Sequence, residues 1–251
     1  RLAEQASQAK ILENTERLQA ALLNSISHEL RTPLVSITGA LSTLADAPES
    51  LEGRDGEITA WHEMVDTAYE EAQRLNLLVG NLLDMTRLEG GTFHLNLEPG
   101  DIQDLVGIAL ARFAQRHSSH AVLVDLPETL PLVSMDMTLM TQVVLNLLDN
   151  AAKYSPEEAP IEIQGKQTGN EVVLSILDQG IGIPETDLPK VFDKFYRTPL
   201  TRSISGIGLG LSISKGIVEA HGGRIWAENR PSGGSVISLA MPVEQAGDAS
   251  Q

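Results

Sequence analysis

In the stretch NSISHELRTPL, His28 stands beside Glu29, with Thr32 one helical turn further on and Pro33 five residues after the histidine. An unperturbed imidazole is largely neutral near neutral pH and keeps one ring nitrogen free to attack. An adjacent carboxylate can take up, or orient, the proton on the other nitrogen. Pro33 has no N–H, so the carbonyl of Glu29 loses its helical partner and the helix is expected to bend there. His28 lies about 200° round the helix from Ile26, away from the apolar row, and is expected to be exposed. The plain alternative is a surface histidine near a helix break.

Three later stretches carry polar residues in unusual company. In EVVLSILDQG, strand alternation puts Val172, Leu174, Ile176 and Asp178 on one face. A carboxylate on an apolar face needs donors, either as a capping or ion-paired aspartate or as the receptor of an exocyclic amine. Gly180 and Gly182 follow at once and leave room for a flat ligand beside the backbone. In TQVVLNLLDNAAKYS, Gln142, Asn146 and Asn150 recur at every fourth residue. They form either an exposed helix face or a set of neutral amides that holds a hydrated Mg²⁺ and phosphate oxygens. Lys153 and Tyr154 close that stripe, and Lys153 offers a point charge to a phosphate. In SGIGLGLSISKG, Gly206, Gly208 and Gly210 alternate at the mouth of a helix. The spacing fits neither a Walker A loop nor a dinucleotide fingerprint, but a glycine-rich helix start suits phosphate through free amides and the helix dipole. Between these stretches lies FDKFYRT. Phe192 and Phe195 read as core anchors, and Lys194 and Arg197 read as phosphate contacts or a solvated charge pair.

The elements that must position these groups divide the chain in two. Residues 1–45 read as one long helix with an apolar row through Leu18, Leu22, Ile26, Leu30, Leu34, Ile37, Leu41 and Leu44. A turn-rich stretch precedes a second helix, about 57–89, whose row Trp61, Val65, Ala68, Ala72, Leu75, Val79, Leu82 alternates steps of four and three. Gly90 and Gly91 end it. A lone hairpin cannot cover both stripes, so residues 10–90 are expected to pair with a second copy in a four-helix bundle; the alternative is that the hairpin packs on the rest of its own chain. From residue 92 the texture becomes α/β. Strands are expected in TFHLNLE, AVLVDL and PLVSM, and helices at 101–117, 137–153, 185–193 and 207–221. Hairpins are expected around Gly169-Asn170 and across PSG. The fold class expected is α+β: a helical hairpin forming a dimeric four-helix bundle, then an α/β sandwich with a mixed sheet. The domains expected are 1–91, helical, and 92–243, α/β, with 244–251 a disordered tail.

Composition narrows the partners. Thirty-four acidic against eighteen basic residues give a formal charge of −16. This argues against nucleic acid or an anionic membrane as the main partner. A nucleotide would then need local cations, backbone amides or a metal ion. With no cysteine, disulfides and thiolate metal sites are excluded. His117 and His120 read as surface residues. No apolar run approaches the length of a membrane span, and a chain beginning at Arg1 is expected to be cut from something longer.

The order of these stretches resembles the catalytic core of a sensor histidine kinase of a two-component system. HELRTPL is similar to that family's phosphoacceptor box, NLLDNAAKYS to its N box, DQGIGIP to its first glycine box, FDKFYR to its F box and GIGLGL to its second glycine box; PSGGS resembles the closing glycine turn. The resemblance covers about residues 10–243, and IVEAHGGRIWAENRP is most similar to the potassium-responsive (KdpD-type) branch. Leu139 stands where many relatives carry an arginine, and the segment between Arg197 and Gly206 is short.

The resemblance implies the ATP-binding fold shared with Hsp90 and gyrase. It implies ATP and Mg²⁺ as cofactors, and autophosphorylation in which Nε2 of His28 attacks the γ-phosphate with Glu29 handling the proton. The phosphoryl group would then pass to an aspartate of a separate response-regulator receiver domain. Glu29 and Thr32 resemble the pair that helps water dephosphorylate that regulator. The nucleotide contacts implied are Asn146, Asn150, Lys153, Tyr154, Asp178, Gly180, Gly182, Ile183, Lys194, Arg197, Gly206, Gly208, Leu209, Gly210 and Leu211, with Asn146 and Gln142 towards the metal. The resemblance also implies a homodimer and cytoplasmic chemistry, with any anchor in the bacterial inner membrane supplied by parts this chain lacks. The alternatives are an ATPase of the Hsp90, gyrase and MutL type, which needs no upstream His-Glu box, and a silent dimerising scaffold.

Overall fold

Apolar residues at helical spacing in the first third of the chain give way to β-branched runs in the last two thirds, and the structure divides accordingly. A computed structural model describes residues 30–44, 55–89, 95–117, 119–198 and 208–243. Two compact units part between Asp84 and Met85. In the first unit, residues 30–44 are helical (α1) and a long helix α2 begins at Asp55 and runs to Glu89, into the second unit. The helix therefore starts two residues earlier than the sequence suggests and takes in Gly56. Along the expected apolar rows, Ala68 is buried, but Leu34, Leu41 and Val65 are each more than half exposed in the single chain. The residues before 30, and with them His28 and Glu29, lie outside the described residues.

The second unit is an α/β sandwich. A two-stranded antiparallel piece, β1 (Glu98–Gly100) with β3 (Val133–Met135), stands apart from a five-stranded sheet. That sheet runs in the order β2 (Val122–Asp125), β4 (Ile161–Thr168), β5 (Glu171–Leu177), β7 (Ser235–Pro242), β6 (Arg224–Asn229). Only the β2–β4 pair is parallel, so the sheet is mixed, and β4–β5 and β6–β7 are the two hairpins expected from Gly169-Asn170 and PSG. Helices α3 (Ile102–Ala114), α4 (Met137–Tyr154) and α5 (Gly210–Ala220) cover the sheet, with α4 packed between its two neighbours.

The core follows from register. Ile163 on β4 lies across from Ile176 on β5, and Ile176 from Ile237 on β7; Leu174 faces Leu239. Met140, Val143, Val144, Leu147 and Leu148 of α4 are sealed over this row. Each such side chain contributes about 1.5–3 kcal/mol through removal from water. Asp136 caps α4, its Oδ1 accepting from the N–H groups of Thr138 and Leu139 at 3.1 and 3.2 Å. His221, buried at the end of α5, ties that cap down: its Nε2 accepts from the Asp136 N–H at 3.0 Å while Nδ1 donates to the Ile217 carbonyl at 2.7 Å. α5 is thus pinned on α4 by polar contacts as well as by apolar packing.

Several expectations need correction. Residues 185–193 do not form an α-helix; only a 3₁₀ turn forms, Leu188–Lys190, with Pro189 fixing φ and withholding an N–H. α5 starts at Gly210 rather than 207, because Gly208 sits at φ +78, outside helical space. Among the described residues of TFHLNLE, only Glu98 joins a strand, and residues 95–97 are irregular. Phe192 and Phe195 are half-buried, and the buried residues there are Val191 and Thr198 at the two ends of the segment. His117 and His120 are half-buried too. His117 stacks on Phe113 at 4.7 Å and meets Asp149 at 3.1 Å. The tail 244–251 lies outside the described residues.

Candidate functional site

The three apolar side chains that precede Asp178 on its face of β5, Val172, Leu174 and Ile176, are buried, and so is the carboxylate itself, 7% exposed. Its donors come from the start of β7. Ser235 donates its N–H to Oδ1 at 3.1 Å and its hydroxyl to Oδ2, and the Gly180 N–H adds a third bond to Oδ1 at 2.8 Å. The Asp178 N–H in turn donates to the Ser235 carbonyl at 2.9 Å. An ionised carboxylate has about four acceptor sites. Three are taken by the chain, which leaves one. Gly234 makes the clamp possible: at φ +89, a Cβ there would lie 2.1 Å from the Asp178 carbonyl oxygen. Arg230 steadies the same carbonyl at 3.3 Å while pairing with Glu162 at 3.0 Å.

The loop after Asp178 is fastened at both ends. A Cβ on Gly180 would sit 2.3 Å from the Tyr154 carbonyl, so this loop lies directly against the end of α4. Gly182, at φ +70, turns the chain towards β6, where Asn229 grips Ile183 twice: Oδ1 accepts the Ile183 N–H at 2.8 Å and Nδ2 donates to the Ile183 carbonyl at 2.6 Å. Sequence reasoning missed Ser235 and Asn229. The hydroxyl that directly follows Gly233-Gly234 was the available signal for the first. Nothing local marked the second, because its partner is 46 residues away.

The amide stripe of α4 faces the start of α5. Gln142, Asn146, Asn150, Lys153 and Tyr154 are all half-buried. Asn146 donates from Nδ2 to the Ser214 hydroxyl oxygen at 2.8 Å, and its Oδ1 would lie 2.2 Å from a Cβ on Gly210. Lys153 carries its ammonium 5.2 Å from the Tyr154 ring centre. The Gly210, Leu211 and Ser212 amides open α5 and have no carbonyl within the helix to bond. Leu209 is 3% exposed, so its side chain belongs to the core and only its backbone can meet a ligand. Ahead of α5, the Phe195 N–H donates to the Gly208 carbonyl at 2.9 Å, and Phe195 itself takes a left-handed φ of 63. A Cβ on Gly208 would meet the Tyr196 carbonyl at 2.7 Å and Cγ of Arg197 at 3.2 Å. Lys194 is exposed and Arg197 half-buried beside this junction.

The structure therefore joins Tyr154 to Gly180, Asp178 to Gly180, Asn146 to Gly210, and Arg197 to Gly208. Sites spread from Asn146 to Gly210 in the sequence are brought together by α4, β5 and α5. Thr32 is exposed on α1 in the other unit. His28, Glu29 and Gly206 lie outside the described residues. Neutral amide oxygens next to a glycine-lined helix start suit a hydrated Mg²⁺ bound to phosphate, a hard cation that takes oxygen ligands and keeps its waters.

Two family models match the chain. Residues 9–91 match the His Kinase A (phospho-acceptor) domain, and residues 135–245 match the histidine kinase-, DNA gyrase B-, and HSP90-like ATPase domain. The sensor protein KdpD of Clostridium acetobutylicum is 38% identical over 245 residues, 97% of this chain and 27% of that protein. The chain thus spans about a quarter of that relative's length. Among solved structures, the mycobacterial sensor histidine kinase MprB is 33% identical with a TM-score of 0.53, over 58% of this chain and 97% of that one. The histidine kinase ThkA, solved in complex with the response regulator protein TrrA, is 26% identical with a TM-score of 0.63, over 90% of this chain and 63% of that one.

Proposed function

The chain belongs to the histidine kinase family, and from that premise we propose that it phosphorylates His28 from ATP and passes the phosphoryl group to an aspartate of a response regulator. The contact between Asn146 and Gly210, closed by Ser214, supports this reading most directly. It sets a neutral oxygen donor against a helix N-terminus with no side chain between them, an arrangement that suits phosphate and its metal. Asp178, with one acceptor site left over, is the group for the adenine amine. Asn146, with Gln142 beside it on α4, would hold Mg²⁺, which when bound supplies neutralising charge at the phosphate oxygens. Lys153, Lys194 and Arg197 supply the local positive charge that a chain of net charge −16 needs to accept ATP.

In the transfer, Nε2 of His28 forms a bond to the γ-phosphorus while the bond from that phosphorus to the bridging oxygen breaks. ADP leaves with the oxygen, and the Nδ1 proton passes to Glu29. Thr32, with Glu29, serves the reverse activity on the phosphorylated regulator by orienting water. A second copy covers the apolar stripe of α1 and α2, whose Leu34, Leu41, Val65 and Val79 are 45–54% exposed in the single chain. Among the described residues no helix is long and apolar enough to cross a membrane.

The test is incubation with γ-labelled ATP and Mg²⁺. Wild type is expected to gain an acid-labile, base-stable label, and His28→Gln none, with affinity for a non-hydrolysable ATP analogue unchanged within about twofold. A label that persists in His28→Gln defeats the assignment of the acceptor. ATP turnover with no label in wild type supports instead an ATPase of the gyrase and Hsp90 kind.

A further inference from the structure

Ser214 sits one helical turn after Gly210 in the interior of α5, 1% exposed. Its hydroxyl oxygen accepts from Nδ2 of Asn146 at 2.8 Å, across the contact between α5 and α4. A primary amide has one donor end and one acceptor end, of nearly equal size. With the nitrogen engaged by Ser214, the oxygen is presented over Gly210, where a Cβ would stand 2.2 Å away. The neighbouring hydroxyl, that of Ser212, is turned instead to the Leu209 carbonyl, to which it donates at 2.8 Å. An apolar residue at position 214 would leave the Asn146 N–H half-buried without this partner. The side chain would then lose the bond that ties it to α5, and its oxygen, the end a hard cation accepts, would no longer be fixed over Gly210.

We propose that Ser214 is a positioning residue that holds the Asn146 side chain against α5, so that its amide oxygen stays over Gly210, where it meets the metal and phosphates of the nucleotide. This rests on the reading of Asn146 as a metal ligand. It separates two functions that lie side by side: Asp178 and its Ser235 clamp recognise the base, whereas Ser214 governs only how the metal end is received. Removal of the hydroxyl is therefore felt in the presence of the metal and not in its absence.

The experiment is calorimetric titration of the full chain with a non-hydrolysable ATP analogue over a range of Mg²⁺ concentrations and in EDTA. Wild type, Ser214→Ala, Ser214→Cys and Asn146→Ala are compared. Ser214→Ala removes one buried oxygen and is expected to raise the half-saturating Mg²⁺ concentration about fivefold, the effect of one net hydrogen bond, while affinity in EDTA stays within about twofold. Ser214→Cys fills the same space with a weak acceptor and is expected to behave likewise. An Asn146→Ala effect on Mg²⁺ dependence without any Ser214→Ala effect overturns this inference alone. An equal loss with and without Mg²⁺ in both Ser214 variants also overturns it, since that is what mere loss of packing would give. Unchanged Mg²⁺ dependence in Asn146→Ala removes the metal ligand itself, and the inference falls with it.

Discussion

Gly233 and Gly234 make a matched pair at which the cost of a single methyl group can be divided into strain and contact. Both lie at positive φ, +94 and +89. A Cβ on Gly233 meets nothing within 4 Å, whereas one on Gly234 meets the Asp178 carbonyl oxygen at 2.1 Å and its carbon at 2.8 Å. Gly233→Ala therefore carries only the left-handed strain, about 1–2 kcal/mol. Gly234→Ala carries that strain and must also drive two backbones apart by about an ångström before the contact reaches ordinary range. The bonds that join them, at 2.9 Å from the Asp178 N–H and 3.1 Å from the Ser235 N–H, then stretch past hydrogen-bonding distance, and the Ser235 hydroxyl bond goes with them. Three bonds at about 1 kcal/mol each add about 3 kcal/mol. For a unit of this size each kcal/mol lowers Tm by about 2–4 °C. Gly233→Ala is expected to lose about 2–8 °C and to keep its affinity for an ATP analogue within twofold. Gly234→Ala is expected to lose about a further 6–12 °C and at least tenfold in affinity, because Asp178 is displaced. Thermal melting and calorimetry on the two variants decide the matter. Equal losses, or a Gly234→Ala protein that binds the analogue as wild type does, would refute the view that Gly234 lets Asp178 and Ser235 approach.

Two further outcomes are expected. Asp178→Asn loses the acceptor for the adenine amine and places an N–H₂ group among the Gly180 and Ser235 donors, so its affinity for ATP should fall further than that of Asn146→Asp; equal affinities by calorimetry for both variants and wild type would contradict this. Leu41→Asp puts a charge on a residue 54% exposed in the single chain, so it should leave the melting of the α/β unit unchanged but convert a dimer to monomers by light scattering; a variant that remains dimeric would remove the α1 stripe from the interface.

Much of this chain was legible because its signals are local. Among the described residues the 3.6-residue and two-residue apolar periods gave most of the helices and strands, with small errors at their ends, and hairpins at Gly169-Asn170 and PSG could be read from turn chemistry. The chain pattern also singled out Asp178, Asn146 and the glycines by residue type and neighbours alone. The errors came where a proline or a left-handed residue overrode a helical pattern, at Pro189 and Gly208, and where half-burial depended on packing, as at Phe195 and His117.

What the sequence determined by itself was a set of chemically suited residues and the order of the elements that bear them. That Asp178 bonds Ser235, 57 residues on, that Asn146 bonds Ser214, 68 residues on, and that Asn229 holds Ile183, were decided only by the tertiary structure. Periodicity reports which face of an element is apolar. It carries no information on which distant polar atom arrives within 3 Å of another, since that is set by strand register and helix packing across the whole unit.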